Sequence, residues 1–137
     1  MKTTLYIDGY NLYYGLVKNT PYKWLDVAKL CTTIANENTP DLEIVAIKFF
    51  TSPVKVNFAT HGNQSEKSQS DYHKALKHLH LQFEIIKGYF DATKGHFPIY
   101  KKPPDRNETV ETWKLEEKQT DVNIALHMYR DLSLIHI

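Results

Sequence analysis

The stretch Thr3–Leu16, TTLYIDGYNLYYGL, decides the reading of the fold. Leu5, Tyr6 and Ile7 form a short, largely apolar run closed by Asp8-Gly9, the pattern of a buried strand with a turn at its carboxyl end. Tyr10 to Leu16 can fold back as a short helix, and Trp24, Val27, Ala28, Cys31 and Ile34 recur at helical spacing in a second one. Asn38-Thr39-Pro40-Asp41 breaks the chain before Leu42–Thr51, LEIVAIKFFT. Rich in β-branched and aromatic residues, and apolar on both faces toward its end, that segment suits an interior strand of a parallel sheet.

Farther out the pattern repeats. Phe58 to Gln69 is polar and reads as a loop, Asp71 to His80 as a helix through Tyr72, Ala75, Leu76 and Leu79, and Leu81 to Gly88 as a third strand. Periodicity is lost from Tyr89 to Thr112, where an extended insertion or a hairpin arm with Phe97, Ile99 and Tyr100 on one side is expected. Val122, Ala125, Leu126 and Tyr129 then form the stripe of an amphipathic helix beginning near Thr120. Alternating strands and helices imply α/β architecture, a mainly parallel sheet covered on both faces.

At 137 residues, 42% apolar and 24% charged, the chain suits one folded domain. A net charge of +1 neither favours nor excludes nucleic acid. The single cysteine, Cys31, rules out an internal disulfide and a cysteine zinc cage, and fits a cytoplasmic protein. No membrane span or signal segment is readable. The last six residues, LSLIHI, match the translated end of a transposon-based sequencing adapter. The expected division is therefore a domain over 1–131, incomplete at its C-terminus, and a non-native tail over 132–137.

In an open parallel sheet, ligands bind outside the carboxyl ends of the strands, which places Asp8 where chemistry can occur, with Asn11 three residues on. Glu117 and Asp121 precede and open the last helix, with Thr120 as the expected N-cap. Read alone, Asp8-Gly9 is a common turn and Asp121 a helix-terminus charge. Read together, Asp8, Asp121 and Glu117 could hold Mg²⁺ or Mn²⁺, hard ions that prefer oxygen ligands, with Asn11 orienting a ligand or metal-bound water. Phosphodiester hydrolysis is the chemistry such a site performs.

Four segments carry a resemblance: YIDGYNLYYGL (Tyr6–Leu16), KWLDVAKL (Lys23–Leu30), IKFFTSPV (Ile47–Val54) and EEKQTDVNIALHMYRD (Glu116–Asp131). In this order and spacing the chain resembles an NYN domain of the LabA-like group, within the PIN-like nuclease superfamily. The resemblance implies a three-layer α/β/α fold and metal-dependent RNA cleavage, with Asp8, Asn11 and Asp121 at the matching positions and Glu117 beside them. It also implies a further C-terminal strand with more carboxylates, which this chain lacks, so that the chain as it stands could be inactive. Gln119 occupies a position where the family often has Gly. Tyr10, Tyr13, Lys48 and Lys55 are the expected RNA contacts, with Tyr14, Lys67, Lys101, Lys102 and Arg106 as further candidates. The leading expectation is a metal-dependent endoribonuclease. Its rivals are a non-catalytic RNA-binding or protein-interaction module and a nuclease acting on DNA flaps, and homodimerisation stays open.

Overall fold

The computed structural model describes residues 1–134. Strand β1 (Lys2–Asp8) leads into the one-turn helix α1 (Gly9–Leu12) and a π-helical turn over Tyr13–Val17. Asp8 makes this reversal possible: its carboxylate caps α1 by accepting from the Asn11 amide at 2.9 Å. Gly9 is equally specific, because a Cβ there would lie 2.4 Å from the Phe49 ring and 2.9 Å from the Phe50 carbonyl oxygen.

Helix α2 (Val27–Asn38), capped by Asp26, returns the chain to β2 (Glu43–Thr51). A 3₁₀ turn at Val56–Phe58 precedes α3 (Asn63–Leu79), and β3 (Phe83–Lys87) completes a parallel sheet of order β1-β2-β3. The middle position of β2 accounts for its unbroken buried run from Ile47 to Thr51. Pleating then sorts its side chains. Ile47 and Phe49 join Ile7, Val27, Ala28, Leu76 and Phe83 in the main core between the sheet and α2 and α3.

Lys48 and Phe50 face the other way, toward α4 (Thr120–Ser133). Phe50 meets the His127 ring edge-on at 5.4 Å, while Asp131 accepts from Lys48 and, at 2.6 Å, from the Tyr6 hydroxyl. Helices thus flank both faces of a parallel α/β sheet. Between β3 and α4 lies an antiparallel hairpin, β4 (Tyr89–Pro98) and β5 (Thr109–Lys118), paired from Tyr89↔Lys118 to Pro98↔Thr109. Trp113 docks this arm by an edge contact with Phe58 at 5.4 Å.

Several expectations need correction. Helix α3 begins at Asn63, not Asp71, because the polar segment 63–70 has good helix formers and a favourable first-turn Glu66, and needs no buried face of its own. The stripe Val122, Leu126 and Tyr129 is exposed, at 58%, 59% and 76%; α4 turns His127 and Asp131 inward instead. Thr120 is not the N-cap: Gln119 is, in the left-handed conformation at φ 70°, and the Thr120 hydroxyl is spent elsewhere. Leu132 and Ser133 continue α4, whereas residues 135–137 of the expected tail lie outside the described residues. No helix among the described residues is long and apolar enough to cross a membrane.

Candidate functional site

The sheet delivers three chain segments to its carboxyl edge: Asp8 at the end of β1, Ser52 after β2 and Gly88 after β3. The junction of β5 and α4 closes over the last of these. A Cβ on Gly88 would come within 2.5 Å of the Lys118 carbonyl oxygen and 3.0 Å of the Thr120 hydroxyl, so absence of a side chain lets the hairpin base approach the sheet.

That approach brings Glu117 to Ser52. The Glu117 carboxylate accepts from the hydroxyl of Ser52 and, at 2.6 Å, from that of Thr120. Both donors belong to buried residues, so the carboxylate satisfies two hydroxyls that would otherwise be desolvated without partners. Tyr10, on α1, lies close enough to feel this charge. Burial pushes its phenol pKa up, and Tyr14 and the negative Glu117 push it further, so Tyr10 is a protonated, donor-competent hydroxyl at neutral pH. The Tyr10 and Tyr14 rings pack at 4.4 Å, with Tyr13 edge-on to Tyr14 at 5.2 Å.

The other sequence candidates divide. Asp8 and Asn11 do meet, the Asn11 side-chain amide donating to the Asp8 carboxylate at 2.7 Å. Asp121 stands exposed in the first turn of α4. The expected convergence of Asp8, Glu117 and Asp121 is not found: among the described residues no group of three or more His, Cys, Asp or Glu side chains is placed to hold a metal ion. Asp8 and Glu117 are instead engaged by Asn11, Ser52 and Thr120. Lys48 is no surface ligand contact, since it is buried in its pair with Asp131 at 2.5 Å. Neighbouring Glu116 lies on the opposite face of the arm, where bonds from Lys114 and Lys118 lower its pKa to about 2.

Lys55 remains exposed and belongs to a cleft. An opening of about 480 Å³ separates the segment after β2 from the base of the hairpin, lined by Pro53, Val54, Lys55, Val56, Tyr89 and Phe90. Phe90 stands opposite Glu117 in the β4–β5 ladder, and Ser52 immediately precedes Pro53, so the cleft adjoins the hydroxyl–carboxylate cluster. The segment after β2 is held by Gln69 of α3, whose amide donates to the Ser52 carbonyl at 2.9 Å and accepts from the Val54 amide at 3.0 Å. The lining is apolar apart from Lys55, and the opening is a shallow groove and not an enclosed pocket. Sequence reading missed Ser52, Tyr89 and Phe90; the position of Ser52 just beyond an interior strand was the available signal.

No protein-family model and no solved structure matches the chain. It is similar to the 6-hydroxy-3-succinoylpyridine 3-monooxygenase HspA of Pseudomonas putida, 38% identical over 96% of this chain. The chain spans about half the length of that relative, 47% of it. The likeness is to an enzyme of oxidoreductase type. It overturns the expectation of a metal-dependent ribonuclease, and with it the hydrolase and magnesium assignments, because a relative alike along nearly the whole chain is named for oxygen insertion and not for phosphodiester hydrolysis.

Proposed function

We propose that the chain forms part of an oxidoreductase that uses dioxygen to hydroxylate an aromatic nitrogen heterocycle. The observation that carries this reading is the identity of 38% along 96% of the chain to a monooxygenase. The cleft supports it: five of its six lining residues are apolar or aromatic, a wall suited to a planar ring and ill-suited to a polyanion, with Glu117 beside it as an acceptor through its ladder partner Phe90. The relative's name puts the oxygen at ring position 3, which bears the succinoyl group and no hydrogen, so the bond that gives way there is ring carbon to acyl carbon: one atom of dioxygen is inserted at that bond and the other leaves as water. Two electrons and two protons come from a two-electron donor acting as co-substrate.

The scaffold is proposed to be NYN-like, a reading supported by the four quoted segments and by the parallel α/β layer. A fold of this kind does not fix its chemistry, since sites are grafted on scaffolds that serve several reactions.

A chimera tests the proposal. The segment of the Pseudomonas monooxygenase that aligns with this chain is replaced by the chain itself, and the product of 6-hydroxy-3-succinoylpyridine is analysed under isotopically labelled dioxygen with the electron donor on which the parent enzyme turns over. Incorporation of one labelled oxygen is the expected result. A folded chimera that consumes neither dioxygen nor substrate, beside an active parent enzyme, refutes the reading.

A further inference from the structure

We infer that the cleft between the segment after β2 and the hairpin base binds a ring-bearing organic anion, with its ring against Phe90 and Tyr89 and its carboxylate on Lys55. The substrate class rests on the oxidoreductase reading above, while the placement rests on the structure.

Charge distribution carries the assignment. The hairpin lysines that form ion pairs are Lys118 and Lys114, toward its base, with Glu116 at 2.6 and 2.7 Å, and, farther along the arm, Lys94 with Glu111 at 2.7 Å and Lys101 with Glu108. Lys55 is exposed, and it forms no ion pair with another described residue. It is the one charged residue of the cleft lining, at the edge of a wall made by Pro53, Val54, Val56 and the two aromatic residues. A cation at the rim of an apolar surface gives a carboxylate a partner while the ring of the same ligand covers that surface.

The opposite charge fixes direction. Glu117 adjoins the cleft through its ladder partner Phe90 and repels a second carboxylate, so the anionic end of a ligand is driven toward Lys55. Against Glu117 the ligand presents a ring N–H or O–H, which the carboxylate accepts. The wall itself is preorganised, because Gln69 clamps the backbone on either side of Pro53.

Calorimetric titration of the 137-residue chain with three probes tests this: the succinoylpyridine acid named above, its methyl ester, and succinate. The acid is expected to bind at least about fivefold more tightly than either of the others. Lys55→Gln removes that margin for the acid and leaves the ester unchanged, Lys55→Arg keeps it, and Phe90→Ala weakens acid and ester alike. Equal affinity for acid and ester, wild-type affinity in Lys55→Gln, or no binding of any probe overturns the assignment. The two proposals fail separately. Hydroxylation by a chimera indifferent to Lys55 discards the cleft and leaves the reaction, whereas the expected binding pattern without hydroxylation discards the reaction and leaves the cleft.

Discussion

Lys48, buried in the middle strand of the sheet, donates to the carboxylate of Asp131 on α4 at 2.5 Å, and this pair joins the helix to the sheet's second face. The Tyr6 hydroxyl shares the same carboxylate oxygen. Removing one partner strands the other charge at a desolvated site, so Asp131→Leu is expected to cost about 3 kcal/mol in urea unfolding. The double variant Lys48→Met/Asp131→Leu should regain most of that loss, because packed apolar side chains replace buried ion pairs at little net cost. Equal stability of the single and double variants would show that the pair couples nothing.

A different group sets the stability profile in mild acid. His73 packs edge-on against Phe49 at 6.0 Å, and burial, aided by the positive charges of Lys87 and Lys77, lowers its pKa from 6.5 to about 4. The unfolded chain therefore binds a proton that the folded chain refuses. Stability is full above about pH 6.5 and falls as pH drops toward 4, by about 3 kcal/mol at most. Asp26, Asp131 and Glu116 have lowered pKa values, so their contributions are lost at still lower pH, as each is protonated in the fold. Melting temperatures measured from pH 7 to 4.5 should decline distinctly less for His73→Leu than for the parent chain. Parallel declines would assign the acid sensitivity elsewhere.

What the sequence revealed follows from where the information lies. The strands around Leu5–Asp8 and Ile47–Thr51 were readable because short runs of apolar, β-branched and aromatic residues end at turn signals, Asp8-Gly9 and Ser52-Pro53, and β2, the middle strand, is buried on both faces from Ile47 on. The hairpin was readable only as one of two alternatives, and its strands could not be delimited: Phe97, Val110, Trp113 and Leu115 are all more than two-fifths exposed, so no alternation separates an inner from an outer face. Likewise α4 was assigned the wrong inward face, since apolar periodicity cannot anticipate that Lys48 and Tyr6 draw Asp131 inward. Glu117 and Tyr10 could be named from their positions. Ser52, 65 residues from Glu117, could be paired with it only in three dimensions. The ribonuclease reading took chemistry from a scaffold resemblance, and the likeness to a monooxygenase corrected it.

Gln119 offers a test of backbone strain at the entry to α4. It sits at φ 70° with its carbonyl already accepting from the Asn123 amide at 2.8 Å, so the helix start depends on a left-handed residue. A side chain there costs about 1–2 kcal/mol, partly offset in a glycine by about 0.5–1 kcal/mol of extra freedom in the unfolded chain. Gln119→Gly is therefore expected to raise the urea midpoint by the equivalent of roughly 0.5 kcal/mol, and Gln119→Val, β-branched, to lower it by more than about 1 kcal/mol. A lower midpoint for the glycine variant would mean that the exposed Gln119 side chain contributes something its geometry does not show.

Glu117 joins the hairpin, the sheet and the cleft, and its hydrogen bonds predict an unequal response to substitution. Glu117→Ala leaves the buried hydroxyls of Ser52 and Thr120 without their acceptor and should cost about 2 kcal/mol, whereas Glu117→Gln retains an acceptor oxygen and should cost about 1 kcal/mol. Taking the donors away as well, in Glu117→Leu/Ser52→Ala/Thr120→Val, removes the unsatisfied groups and should restore stability to near that of the parent. Ligand binding separates the two roles of this carboxylate. If Glu117 orients a ring donor in the cleft, the stable triple variant still binds the succinoylpyridine acid more weakly than the parent; unchanged affinity would confine Glu117 to holding the arm against the sheet.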